Sequence, residues 1–145
     1  MRKSEVSRAS TLLLRELVLS VFVLFFRLSR WHGIMKARTA ASGVSFVEGA
    51  AILGCWIWIE VGLRNPIITN RWVFVVLFMI LYLINEYLLV DLKCGIDFEA
   101  KFSEFSEDKQ VWLYAVSIGI VLGVALSLYF SVSAYRQLFS VTLPR

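Results

Sequence analysis

Three long apolar runs dominate the sequence and alternate with short polar segments. They extend over residues 44–63, 72–90 and 111–135. Each run has roughly the 20 residues that an α-helix needs to cross the hydrocarbon core of a bilayer. The pattern therefore predicts an all-α integral membrane protein in which residues 42–145 form a bundle of three transmembrane helices.

The connections between the predicted spans are short and polar. In the first connection, residues 64–71, the pair Asn65-Pro66 disfavours helical backbone. The second connection, residues 91–110, carries six acids and three lysines. Its end supplies a serine followed by two acids, Ser106-Glu107-Asp108, which suits the positive N-terminal end of the next helix.

Residues 1–41 form a separate, basic segment. Its solid apolar run, residues 17–26, is too short to span a bilayer. At 100° per residue the charged side chains fall on one half of a helix, which predicts an amphipathic helix and linker at the membrane surface. The opposite half carries Leu13, Leu14, Leu17, Val21, Leu24, Phe25, Leu28 and Trp31.

Two alternatives exist for this segment. In the first, residues 12–28 cross the membrane as a fourth span, which buries Arg15. The second is a cleaved secretory signal, and it is disfavoured because four basic residues separate the apolar run from the small residues Thr39-Ala40-Ala41.

The distribution of positive charge predicts the orientation. With three spans, eleven Lys and Arg residues precede the first span or lie in residues 91–110, and four lie in the other two polar segments. Positive residues favour the cytoplasmic side, so the N-terminus and the acidic loop 91–110 are both predicted to be cytoplasmic. The pattern indicates a plasma membrane, specifically a bacterial inner membrane, and disfavours nucleic-acid binding because the basic residues lie beside apolar runs.

Three polar residues within the spans are the candidate functional residues. Glu48 and Glu86 have no cation three or four residues away on their own helices, and Asn85 precedes Glu86. Counting from the helix ends places all three at a similar depth in the inner leaflet. The layer has three interpretations. In the first, the side chains simply reach the inner headgroups or pair with Arg15, Arg27 or Arg30 of the surface helix. The second is contact with a charged residue of another membrane protein, and the third is a proton or cation relay.

Small residues recur at every fourth position of the third span. The strip consists of Ala115, Gly119, Gly123, Ser127 and Ser131. Such strips let two helices approach closely within a membrane. The strip is predicted to pack either on small residues of the first span, Gly49, Ala50 and Gly54, or on another chain.

The loop 91–110 contains aromatic residues at helical spacing. Phe98, Phe102 and Phe105 share one face of a helix. This face could lie on the membrane, dock on the basic N-terminal helix or receive a cytosolic partner. The acidic surroundings disfavour an anionic membrane surface, so docking on the basic helix is favoured over lipid.

No enzyme motif is present in the sequence. It lacks the patterns of serine hydrolases, zinc proteases and nucleotide-binding loops, and His32 is its single histidine. We therefore predict a non-enzymatic protein without a cofactor, metal or identifiable small-molecule substrate. Its expected partners are the lipid bilayer and another membrane protein or a second copy, as in an accessory subunit or an immunity-type protein. The alternative is an oligomeric proton or ion pathway that uses Glu48 and Glu86.

Overall fold

The chain is helical, with no strand, in the computed structural model, which describes residues 2–30, 32–65 and 72–139. Side chains are described from residue 15 onward, so the predicted roles of Leu13, Leu14 and Trp31 and most of the turn after Asn65 lie outside the described residues. The helices are α1 (Arg2–Leu28), α2 (Ile34–Leu63), α3 (Trp72–Asn85) with a π-helical continuation (Glu86–Asp91), α4 (Cys94–Phe102) and α5 (Glu107–Phe139).

Three helices of the described part are long and apolar enough to cross a membrane. They are α2 with 30 residues, α3 and its continuation with 20, and α5 with 33. This confirms the predicted number of long apolar helices. Only 11% of the most apolar stretch of α5 is buried inside the protein. A soluble monomer rarely leaves so much continuous apolar surface uncovered.

α2 begins ten residues earlier than predicted, at Ile34 instead of residue 44. The charges of Lys36 and Arg38 suggested a linker at the sequence level. Ala37, Ala40 and Ala41, however, are strong helix formers, and all three are buried in the core. The basic side chains extend from other sides of the same helix, which places Arg38 on α2 and opposite α3.

The middle of α1 lies in the core, which corrects the prediction of a helix with one buried face. Five consecutive residues have exposed fractions of 6% or less: Leu19, Ser20, Val21, Phe22 and Val23. A helix that rests on a surface would bury only every third or fourth residue. Here α2, α4 and α5 all contact α1, so the segment is enclosed from several sides.

Glycine makes room for the aromatic rings of α1. A Cβ added to Gly95 of α4 would lie 2.7 Å from the ring of Phe22, and one added to Gly43 of α2 would lie 2.5 Å from the ring of Phe25. Both distances are too short for carbon atoms that are not bonded. The close approach of α1 to α2 and α4 therefore requires these two glycines.

α4 docks on α1, as the spacing of its phenylalanines predicts. Phe102 is 1% exposed and packs with Val23. Arg27 of α1 lies with its guanidinium carbon 5.1 Å from the centre of the Phe102 ring and its Nε 3.5 Å from a carboxylate oxygen of Glu99. Arg27 also donates a 3.2 Å hydrogen bond to the hydroxyl of Ser103. One arginine thus joins α1 to the acidic loop.

Gly95→Ala is expected to lower the free energy of unfolding by about 1–3 kcal/mol, because the added methyl group overlaps the enclosed Phe22 ring. The measurement is thermal unfolding of the purified protein in mild detergent. In a Phe22→Leu background, which removes the ring, the same substitution should cost much less.

Gly62→Ala is the matched control, because no atom lies within 4 Å of the position of its added Cβ. It should be neutral or slightly stabilising, by up to about 1 kcal/mol from helix propensity. Equal effects of the Gly95 and Gly62 substitutions would contradict the enclosure of Phe22.

Candidate functional site

A line of polar side chains runs along the contact between α2 and α3. We call this line the polar seam. It consists of Arg38, Ser42, Ser45 and Glu48 on α2 and Tyr82, Asn85 and Glu86 on α3 and its continuation. The α2 members share one side of the helix because their spacing follows its period of 3.6 residues.

Asn85 is the centre of the seam. Its side chain is buried, with 6% exposed, and its amide nitrogen donates two hydrogen bonds to α2. One bond reaches a carboxylate oxygen of Glu48 at 2.7 Å, and the other reaches the hydroxyl of Ser45 at 3.1 Å. Ser45 in turn donates to the backbone carbonyl of Ala41 at 2.9 Å. A carboxylate can only accept hydrogen bonds, so the amide of Asn85 has to present its nitrogen to Glu48.

Glu86 forms an ion pair with Arg38 of α2. The Nε of Arg38 lies 2.9 Å from its carboxylate, and the side chains are 46% and 19% exposed, respectively. Tyr82 lies beside Glu86 and Ser42. Pairing with Arg15, Arg27 or Arg30 was one interpretation of this layer, and it is wrong for Glu86, whose partner is Arg38.

The helix widens immediately after Asn85. Residues Glu86–Asp91 form a π-helix, in which the amide of Leu92 donates to the carbonyl of Tyr87 at 2.9 Å. Wide turns of this kind occur often at functional positions. In this protein the wide turn places both Leu89 and Val90 in the core, while Asn85 and Glu86 both reach α2.

Glu48 differs from Glu86 because, within the described residues, it has no cation within 4 Å. Its known partner is the neutral amide of Asn85. Beyond that bond, Glu48 faces a cavity of about 820 Å³ between α1, α2 and α3, which Arg15 also lines. The structure therefore brings Glu48 and Asn85, which were predicted to lie at a similar depth, into direct contact. It leaves Glu48 the more available of the two carboxylates.

A further carboxylate, Glu60, lies near the C-terminal end of α2. It is 4% exposed and accepts a 2.8 Å hydrogen bond from the indole nitrogen of Trp56, one turn earlier. Such a bond stabilises a carboxylate that lies within an apolar helix.

The strip of small residues on α5 mostly faces away from the bundle. Ala115, Gly119 and Gly123 are exposed, and an added Cβ on either glycine would have no atom within 4 Å. Only the C-terminal part of the strip contacts α2. There, Ser127 and Leu128 lie 3.8 Å from the position of an added Gly54 Cβ. Gly49 instead faces Phe78 and Leu81 of α3. The prediction that the strip packs along α2 is therefore wrong for Ala115, Gly119 and Gly123, although Ser131 is buried.

Arg38 was not a candidate at the sequence level, although a signal for it existed. Residues 38, 42 and 45 follow a helical spacing with Arg, Ser and Ser, which would continue the polar side of Glu48 toward the N-terminus. Because residues 27–41 were assigned to a linker, the polar side of α2 was not followed back to Arg38.

No group of three or more His, Cys, Asp or Glu side chains in the described part of the chain could hold a metal ion. Cys55 and Cys94 are free thiols. Comparison with protein-family models, curated proteins and solved structures found no significant match to this chain. The class is therefore defined by the molecule alone: over the residues that the structure describes, the protein is helical and has three helices long and apolar enough to cross a membrane.

Asn85→Leu is expected to lower the free energy of unfolding by about 1–3 kcal/mol, because it leaves Glu48 and Ser45 without the donor that α3 supplies. Glu48→Gln should cost less than about 1 kcal/mol, since the glutamine oxygen still accepts from Asn85. Thermal unfolding in detergent measures both.

The double variant Asn85→Leu with Glu48→Leu should regain much of the loss, because the partly buried carboxylate of Glu48 no longer remains without its donor. If Asn85→Leu proved neutral, or if the double variant were no better than the single one, Asn85 would not hold α2 to α3.

Proposed function

We propose that this chain is an integral membrane protein with three spans that binds another membrane component. The concrete forms are an accessory subunit of a membrane complex and an immunity-type protein that protects against a membrane-acting toxin. The proposal places the chain in a bacterial inner membrane with its N-terminus in the cytoplasm. Its support is the length and apolarity of α2, α3 and α5, and the bias of Lys and Arg toward one side.

The observation that carries the binding role is the outward strip on α5. Gly119 and Gly123 leave open space beside the helix backbone. In a membrane there is no hydrophobic driving force between helices, so close packing of backbones over small residues is a main source of association. A glycine-lined surface that the protein's own helices do not use is therefore a suitable surface for a helix of a partner or of a second copy.

The strip is flanked by large exposed apolar residues on the same helix. These are Ile118, Leu122, Leu126 and Phe130. A partner helix seated over the glycines would contact these side chains and gain dispersion energy from them. The surface thus combines close backbone approach with apolar contact area, and it involves no catalytic residue.

The alternative is an oligomeric proton or ion pathway that uses Glu48 and Glu86. Two contacts make it the weaker proposal. Arg38 lies 2.9 Å from Glu86, and this cation opposes the passage of a positive ion. The Asn85 amide, a donor to Glu48, holds that carboxylate in a link between helices. Partner contact by Glu48, Asn85 and Glu86 stays a prediction, and the present proposal does not depend on it.

Gly123→Leu and Gly119→Leu are expected to abolish association with the partner or second copy while the protein still folds. The added side chains fill the space that a closely packed helix would need, and in this chain no atom lies within 4 Å of the Cβ position at either glycine. The measurement is the mass of the complex extracted from membranes in mild detergent, together with thermal unfolding of each variant.

Gly62→Leu is the matched control, because Gly62 on α2 is also exposed with open space beside it. It should leave the complex unchanged. If Gly123→Leu and Gly62→Leu had the same effect, or if the wild-type protein were monomeric and without a partner in its native membrane, the proposed role of the strip would be wrong.

The proposed orientation is tested by single cysteines in a background that lacks Cys55 and Cys94. A cysteine at Glu104, in the turn between α4 and α5, should react with a membrane-impermeant maleimide only after the cytoplasmic side is opened. A cysteine at Asn65, after α2, should react in intact cells. The reverse pattern would show that the protein is inserted the other way.

A further inference from the structure

A groove with mixed charge lies between α1, α2 and α3. It has a volume of about 820 Å³ and opens to the outside of the protein. This volume is within the range of about 300–1,000 Å³ that is usual for ligand sites. Its lining is mainly aliphatic, and no residue of α5 contributes. The lining residues used below are Arg15, Leu81, Ile84, Glu48, Asn85 and Leu88.

Two side chains of opposite charge line this groove. Arg15 comes from α1 and Glu48 from α2. Within the described residues neither of them forms an ion pair within 4 Å, with each other or with a third residue. A charge beside an apolar lining is costly unless a counter-charge meets it. The groove therefore fits a ligand that brings both a negative and a positive group.

Glu48 is fixed in position for such a ligand. One of its carboxylate oxygens accepts the 2.7 Å hydrogen bond from buried Asn85. The carboxylate retains acceptor sites that this single bond does not use. Asn85 thus acts as a positioning residue that holds the negative end of the groove against α3.

The aliphatic part of the lining indicates the rest of the ligand. Leu81 and Ile84 lie on α3 and Leu88 on its π-helical continuation, and α3 exposes large apolar side chains along most of its length. An acyl chain placed here would replace water or loose lipid with close aliphatic contact. A ligand with a zwitterionic head and an apolar tail satisfies all three parts of the groove.

We propose that this groove binds a zwitterionic aminophospholipid, with its phosphate on Arg15, its ammonium on Glu48 and an acyl chain along α3. The inference rests on the proposed membrane location, but it does not use the strip on α5. A partner helix with a lone arginine or lysine would meet Glu48 and be repelled by Arg15. An anionic lipid without an amine would meet Arg15 and leave Glu48 unpaired. The aminophospholipid is the occupant that matches both charges.

The test is competitive lipid retention by the detergent-purified, full-length protein, measured by native mass spectrometry. The probes are phosphatidylethanolamine, phosphatidylcholine and phosphatidylglycerol with identical acyl chains. The wild-type protein should retain phosphatidylethanolamine about tenfold more than the other two. Phosphatidylcholine has no N–H to donate to Glu48, and phosphatidylglycerol has no cation.

Two variants test the two charged ends of the groove, Glu48 and Arg15, one at a time. Glu48→Gln should abolish the preference for phosphatidylethanolamine over phosphatidylglycerol and keep the Asn85 hydrogen bond. Arg15→Gln should lower the retention of all three phospholipids. Arg30→Gln and Glu104→Gln are the controls, because both residues are exposed and neither lines the groove. They should leave lipid retention unchanged.

Several results would overturn the proposal. One is equal retention of the three lipids by the wild-type protein, which needs no variant and cannot be confused with misfolding. Another is an unchanged preference in a folded Glu48→Gln protein, as judged by thermal unfolding. A third is a protein chain cross-linked at the groove in place of lipid. None of these results would affect association through α5, so the two proposals fail independently.

Discussion

The structure depends on one constraint: polar side chains on long apolar helices have to find their partners within the protein. In the membrane location that we propose, hydrocarbon would offer these groups no hydrogen bonds, and each unpaired polar group would cost on the order of several kcal/mol. No buried side-chain nitrogen or oxygen in the described part of the chain lacks a hydrogen-bond partner. Asn85 meets this requirement for Glu48 and Ser45, Arg38 meets it for Glu86, and each pairing joins α2 to α3.

The same constraint explains how α1 is placed. The hydroxyl groups of Ser20 and Ser117 lie 2.8 Å apart in the core, so α1 and α5 satisfy each other's polar groups at their contact. Gly43 and Gly95 then let the rings of α1 fill the remaining space. α5 packs on both α1 and α2 through Ile120, Val121 and Val124, while Gly119 and Gly123 face outward. The buried hydroxyl of Ser117 thus lies on one side of α5, and the exposed small residues Gly119 and Gly123 lie on the other.

The sequence predicted the long apolar helices, and the similar level of Glu48 and Asn85 along them, better than it predicted which helices pack together. The end of α2 at Leu63 and the start of α3 at Trp72 follow from hydropathy and Asn65-Pro66, and a shared depth for Glu48 and Asn85 follows from counting along helices. The early start of α2 was missed because the charged residues Lys36 and Arg38 are typical of a linker. The sequence does not show which side of a helix they would occupy. Burial around α1 could not be predicted, since it depends on which helices enclose Phe22. The direction of the α5 strip depends on the same packing.

The central claim is that the strip on α5 contacts another membrane protein or a second copy of this chain. The most direct measurement places a photoreactive amino acid at single positions of α5 in native membranes and identifies the cross-linked products. Gly119 and Gly123 are compared with Ala125 and Tyr129, which are also exposed but lie outside the strip. The account predicts protein adducts at Gly119 and Gly123 and none at Ala125 or Tyr129. Absence of protein adducts at the two glycines, or equal adducts at all four positions, would contradict it.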